Sequence, residues 1–213
     1  MAVEKSIAAL RSLVAAWTPP ARRRGNHMAT GVEAMDDALG GGLPAGLLTE
    51  IVCPPGAGGQ LVLGQLLATT RAARQRMALI DATDSFAPEA VPADALRHLV
   101  WARCQDLTQA LAVADLFFRD GNFFVVVLDL RDVPAAALNR TPSTLWHRLH
   151  RAAERQPAAV TVFSRLGVVP AVRWRLALGR KDGTTVASRK TYAQRADEIQ
   201  VQATRGIFGE MTA

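Results

Sequence analysis

The stretch Leu47-Leu-Thr-Glu-Ile-Val-Cys53-Pro-Pro-Gly56-Ala-Gly58-Gly59-Gln60-Leu-Val-Leu63 decides the fold. Leu47–Cys53 is a short, mostly apolar run with β-branched residues, and it predicts a strand. Pro54–Gly59 predicts a loop. Gln60–Arg76 predicts a helix, with Leu63, Leu66, Leu67 and Thr70 on one side. Downstream the same alternation repeats. Met77–Asp81 predicts a short buried strand, Pro88 to about Arg97 a turn with a short helix, and His98–Ala102 another strand. Asp106 is a suitable N-cap for the next helix, with Gln109 three residues on. That helix has Leu107, Leu111, Ala114 and Phe118 as its inner stripe and closes at Gly121-Asn122. Phe123–Leu130 is apolar except for Asp129, which suits a strand in the middle of a parallel sheet. Thr141-Pro142-Ser143 opens a helix to about Gln156, and Ala158–Phe163 predicts one more strand. Val172–Leu178 and Glu198–Ala203 alternate polar and apolar residues. They predict antiparallel strands at a sheet edge, joined by a hairpin turn at Gly179–Gly183. The pattern is that of an α/β fold: a mostly parallel sheet flanked by helices, turning antiparallel toward the C-terminus.

Upstream, Val3, Ile7, Leu10, Val14 and Trp17 form one stripe of an N-terminal helix, which Thr18-Pro19-Pro20 stops. Residues 21–27 read as a basic linker. Thr30-Gly-Val-Glu33 fits a capping box, and the short helix it opens runs to Leu39, before Gly40-Gly41-Gly42 and Pro44. The expected organisation is an N-terminal helix and linker over 1–27 and a core over 28–165. A basic, β-rich segment of the same domain follows over 166–213.

Composition narrows the functional classes. An apolar share of 49% over 213 residues provides for a sizeable core, and 21% charged residues is not the profile of a disordered chain. The longest apolar run, Phe123–Leu128, falls far short of the roughly 20 residues of a membrane span. No apolar h-region of a secretory signal is present near the start. With only Cys53 and Cys104, a cytoplasmic protein with free thiols is expected. The net charge of +6 is unevenly placed. Residues 140–213 hold 13 basic and 5 acidic side chains, against 12 and 14 before them. Because 22 of the 25 basic residues are arginine, a surface for a polyanion or an acidic partner is one reading of the last third. A solvated face of biased composition is the other.

The loop after the first strand sits where a phosphate-binding loop, G-x-x-x-x-G-K-[ST], would sit. There the glycines let backbone N–H groups wrap phosphates, the lysine supplies a cation and the hydroxyl holds Mg²⁺. Aligned on Gly58, the first glycine becomes Cys53, the lysine Gly59 and the hydroxyl residue Gln60. Only N–H groups and the helix dipole are left to neutralise a triphosphate. No cofactor is therefore expected.

The run Thr30-Gly31 … Asp36 … Leu39-Gly40-Gly41-Gly42-Leu-Pro44-Ala-Gly46, followed by strand and loop, resembles the entry segment of the RecA-like superfamily. Leu79-Ile80-Asp81-Ala82-Thr83 resembles that family's second core strand, with Thr83 where a catalytic glutamate normally stands. Phe124–Leu128 followed by Asp129 resembles its Walker B strand, with Asp129 at the magnesium-linked carboxylate and Leu130 at the following hydroxyl position. The resemblance covers about residues 28–165. It implies a degenerate nucleotide site made of Gly56, Gly58, Gly59, Gln60 and Asp129, in which three catalytic roles are lost together: a pseudo-ATPase. Loss of a general base alone removes on the order of 10²–10⁴ in rate.

Within the superfamily the chain resembles the ImuA group, also described as SulA-like, whose loop is of the G-x-G-x-x-L-L-L type; Gly56, Gly58, Leu61 and Leu63 follow that type. The resemblance implies a non-catalytic accessory role in SOS-associated translesion synthesis. Its partners would be a Y-family-like polymerase protein (ImuB-like) and the recombinase RecA. The alternatives are a SulA-like cell-division inhibitor and a RecA paralogue that still binds nucleotide.

Arg173, Trp174, Arg175, Arg180, Lys181, Arg189 and Lys190 form the candidate surface for DNA phosphates or a protein partner. Trp174 could stack a base or anchor a partner. Strand alternation favours the other arrangement, with Trp174 inward and its arginine neighbours in solvent. His147 and His150 lie i, i+3 on one helix with no further ligand type nearby, so surface histidines are expected rather than a metal site. Cys53 beside a helix N-terminus could have a lowered pKa, or simply be a small buried residue.

Overall fold

The computed structural model describes residues 27–170, 172–180 and 196–205. The N-terminal helix expected over 3–17 lies outside them. A seven-stranded sheet forms the centre. Its strands are β3 (Leu48–Val52), β4 (Met77–Asp81), β5 (Leu99–Arg103), β6 (Val125–Asp129), β7 (Ala159–Ser164), β8 (Trp174–Arg180) and β9 (Ile199–Arg205). The spatial order is β5-β4-β6-β7-β3-β8-β9. Every neighbouring pair is parallel except β8–β9.

Alternation along the central strands builds two cores. Met77, Leu79, Val125, Val127, Ile51 and Phe163 face one side, which α1 (Glu33–Leu39) and α2 (Gly59–Ala72) cover. Ala78, Ile80, Val126, Leu128, Val160 and Val162 face the other, covered by α3 (Leu107–Phe117) and α5 (Ser143–Glu154). Burial on both faces is why these strands are almost unbroken apolar runs. Trp146 and Phe118, both nearly inaccessible, fill the second core.

The structure corrects the expected elements at several points. Helix α2 ends at Ala72, well before Arg76. The chain reverses at Arg74, at φ 54, with Gln75 N donating to Thr70 O. That early stop lets Phe124 N donate to Arg76 O and start the β4–β6 pairing. The capping box at Thr30 is shifted. Val32, not Thr30, is the N-cap of α1. Thr30 Oγ1 accepts from Val32 N (3.1 Å), and Asp36, not Glu33, reaches back to Thr30 N (2.8 Å). Asp106 does cap α3, accepting from Gln109 N at 2.8 Å.

Of the expected hairpin turn at Gly179–Gly183, Gly179 and Arg180 belong to β8 instead: Gly179 pairs with Gln200 and Arg180 with Ile199, and residues 181–183 lie outside the described residues. The antiparallel pair does lie at the edge of the sheet, with β9 outermost and β8 joined to β3. Three elements lack a signal strong enough to predict. The ribbon of β1 (His27–Met28) and β2 (Leu43–Pro44) is too short to show a period. Helix α4 (Ala135–Asn139) is a single turn after Pro134.

Candidate functional site

The site lies at the carboxyl end of β3, where α/β sheets of this kind bind ligands. After Cys53 the chain turns through Ala57 N donating to Pro54 O (3.0 Å) and enters α2 at Gly58. Gly56 and Gly58 have φ of 78° and 95°, a region L side chains rarely adopt. Gly58 also lies under Ile199 of β9, whose Cγ1 would be 3.2 Å from a Cβ placed there. The glycine-loop shape therefore survives although its lysine and hydroxyl are gone.

Asp129 ends β6 and is 1% exposed. Its carboxylate is enclosed by Arg131, a residue the sequence reading does not single out. Arg131 N (3.1 Å) and Nε (2.9 Å) both donate to Oδ1, and Nη2 donates to Oδ2 at 2.5 Å. The guanidinium lies over the Phe163 ring, 5.4 Å from its centroid. Nη2 also reaches Gln60 Oε1 at 3.4 Å. Nη1 stands 2.8 Å from where a Cβ on Gly59 would be. Burial disfavours the Arg131 charge, but the bonds and field of Asp129 outweigh it and hold the guanidinium above its ordinary pKa. The one available signal was spacing: in an extended Asp129-Leu130-Arg131, residues i and i+2 share a side.

The fold family implies Mg²⁺ and a nucleoside triphosphate at this loop, and the residues present do not fit them. The carboxylate that would orient the metal is already engaged on both oxygens by a cation. A side chain at position 59 would have to push the end of that cation aside. The oxygen of Gln60, at the metal-hydroxyl position, is turned to Arg131 Nη2, and among the described residues its Nε2 is buried without a hydrogen-bond partner.

Cys53 is buried, and burial pushes its thiol up to about 12, with the Arg131 charge opposing to a smaller extent. Of the two readings of Cys53, the lowered pKa is thereby corrected and the small buried residue holds, because desolvation of the thiolate dominates. Thr83 is exposed, and its N–H donates to Asp81 Oδ1 at 3.3 Å. Asp81, fully buried, also accepts from Ser85 N, Phe86 N and Trp101 Nε1. That carboxylate organises the turn after β4 and is not placed to activate water. Thr83 lines a separate, mainly apolar cavity of about 800 Å³ with Leu107, Leu111, Val133, Ala137 and Leu145.

The described members of the basic set stand in different settings. Arg173 is exposed. Trp174 is half-buried and packs on the first core. Arg175 is not a free surface cation. It sits beside Glu50 in register across β3–β8, and its Nε donates to Glu50 Oε2 at 2.7 Å. Arg180 ends β8. Lys181, Arg189 and Lys190 lie outside the described residues. His147 is exposed, whereas His150 is half-buried and lies 3.2 Å from Pro170 O through Nε2. Among the described residues no cluster of histidine, cysteine and carboxylate could hold a metal, and no helix is long and apolar enough to cross a membrane.

No protein-family model matches the chain. By sequence it is similar to the protein RecA of Rubrobacter xylanophilus, 35% identical over 106 residues, which are 48% of this chain and 30% of that protein. It is likewise similar to the protein RecA of Mycobacterium marinum, 37% identical over 106 residues, 47% of this chain and 30% of that protein. The chain thus spans about a third of the length of these relatives. In fold it is similar to the RadB recombinase, with a TM-score of 0.59 and 21% identity over 73% of this chain and 84% of that one. The chain is thus an α/β fold similar to that of the RadB recombinase, with a mostly parallel seven-stranded sheet flanked by helices.

Proposed function

We propose that this chain is a non-catalytic, cytoplasmic RecA-like accessory protein of SOS-induced DNA damage tolerance. It acts through contacts with a Y-family-like polymerase partner and with the recombinase, and its basic last third approaches DNA phosphates. The observation that carries the non-catalytic part is the Asp129–Arg131 pair set over Gly59 and Gln60. A RecA-like core that retains the loop but holds an arginine on its metal carboxylate is suited to binding partners, not to turning over ATP. The pathway and the partners rest on the resemblance to the ImuA group.

The test is genetic. The gene is deleted, the cells are irradiated with ultraviolet light, and induced mutation frequency and cell length are scored together. A fall in induced mutation with normal cell length supports the reading. Unchanged mutation with loss of filamentation overturns it in favour of a division inhibitor. The purified chain should show no ATP hydrolysis above a heat-denatured control.

A further inference from the structure

Asp129 would be an expensive group to leave alone in the core, because a buried carboxylate needs a compensating charge. In an enzyme of this fold a hydrated metal and a loop lysine share that task. Here the compensation is attached to the same chain two residues away. Arg131 is held from three sides: Asp129 on both oxygens, Gln60 Oε1 and the Phe163 ring. Its side chain is only 14% exposed.

We propose that Arg131 is a resident cation that stands in for both the divalent metal and the loop lysine, so that this site excludes metal. The inference rests on the non-catalytic reading above and extends it to the cause of the silence. Glycine at 59 is part of the device. A side chain at 59 would have to displace Nη1, which stands 2.8 Å from the Cβ position, and would crowd Cys53 Cβ at 3.0 Å. A metal entering here must first break a bidentate buried ion pair and then tolerate a like charge beside it.

The experiment is a Mn²⁺ titration followed by electron paramagnetic resonance. It is carried out on the full chain as wild type, Arg131→Ala, Arg131→Gln, and the double variant Arg131→Ala/Asp129→Asn. The wild type should show no saturable site below roughly 1 mM. Arg131→Ala should gain one saturable site, tighter by roughly 10²–10³-fold, since the cost of breaking the pair is gone. The double variant should lose that site. Where Arg131→Ala does not fold alone, recovery on refolding with Mn²⁺ and not without it gives the same answer. Two results overturn the proposal. One is a saturable Mn²⁺ site in the wild type that Asp129→Asn abolishes. The other is folded Arg131→Ala and Arg131→Gln variants that both gain no site. Should neither variant fold under any condition, the wild-type titration decides alone. A wild-type Mn²⁺ site that the single variant Asp129→Asn, titrated alongside, abolishes sinks the resident cation but, without ATP hydrolysis, leaves the non-catalytic reading standing. ATP hydrolysis by the wild type sinks that reading.

Discussion

Glu50 offers the sharpest test of how this fold is held together at its site end. It lies in β3, fully buried, and its carboxylate collects donors from three separate segments. Ser164 Oγ (2.8 Å), Val168 N (2.6 Å) and Val169 N (3.1 Å) donate to Oε1, and Arg175 Nε donates to Oε2 at 2.7 Å. One side chain thus ties the end of β7, the 165–173 connection and β8 to the strand that carries the glycine loop. Glu50→Ala removes the acceptor for all four at once. It leaves two backbone N–H groups and a hydroxyl without their acceptor and the Arg175 guanidinium with only Val169 O, a loss of about 3–5 kcal/mol. At about 2–4 °C per kcal/mol for a chain of this size, the melting temperature should fall by roughly 6–20 °C. Arg175→Met should behave differently. Its side chain is 38% exposed, so solvent screens the pair, and Glu50 keeps three other donors. The expected loss is about 1–2 kcal/mol. Urea unfolding measures both variants, and hydrogen exchange at the amides of Val168 and Val169 locates the damage. The reasoning is refuted if Glu50→Ala costs no more than Arg175→Met, or if those two amides stay as protected as in the wild type.

Three further outcomes are expected. In a DNA-binding titration against salt, Arg173→Ala should lower affinity and reduce the slope of log K against log salt by about 1, whereas Arg175→Ala should leave the slope unchanged because that cation is committed to Glu50. Burial raises the Cys53 thiol from an ordinary 9.0 to about 12, so the native state holds a proton that the unfolded state has lost. Stability from this group is full below pH 9 and lost as pH rises from there toward 12, and Cys53→Ala should flatten urea stability over that window. His150 runs the opposite way. Burial lowers its pKa below the ordinary 6.5, so its contribution is full above pH 6.5 and lost as pH falls below it; His150→Gln should reduce the acid-side slope.

Local chemistry explains which features were legible in the sequence. The strands Met77–Asp81 and Val125–Asp129 announce themselves because both faces are covered and the apolar runs are unbroken. The helix after Asp106 is legible because its cap is local, a side chain answering an N–H three residues on. The glycine loop shows for the same reason: positive φ at Gly56 and Gly58 leaves a mark in residue type. The end of α2 leaves no such mark. It depends on where Arg76 must sit beside Phe124, a partner far along the chain. The end of β8 is hidden likewise, since only pairing with β9 carries that strand through Gly179.

The site divides along the same line. Sequence alone determined a strand–glycine loop–helix unit in an α/β chain, and the absence of lysine and hydroxyl from its loop, because both are matters of residue type at fixed spacing. Only the tertiary structure decided what replaces them. Arg131 is distant in sequence from Gly59 and Gln60, and it meets them because β6 and β3 end on the same side of the sheet with β7 between them. Arg175 reads in sequence as one more cation of a basic strand. The β3–β8 register places it against a buried carboxylate, and that commits its charge although the side chain is partly exposed. A charge is free or committed according to its neighbours in space, and spacing along the chain does not carry that information.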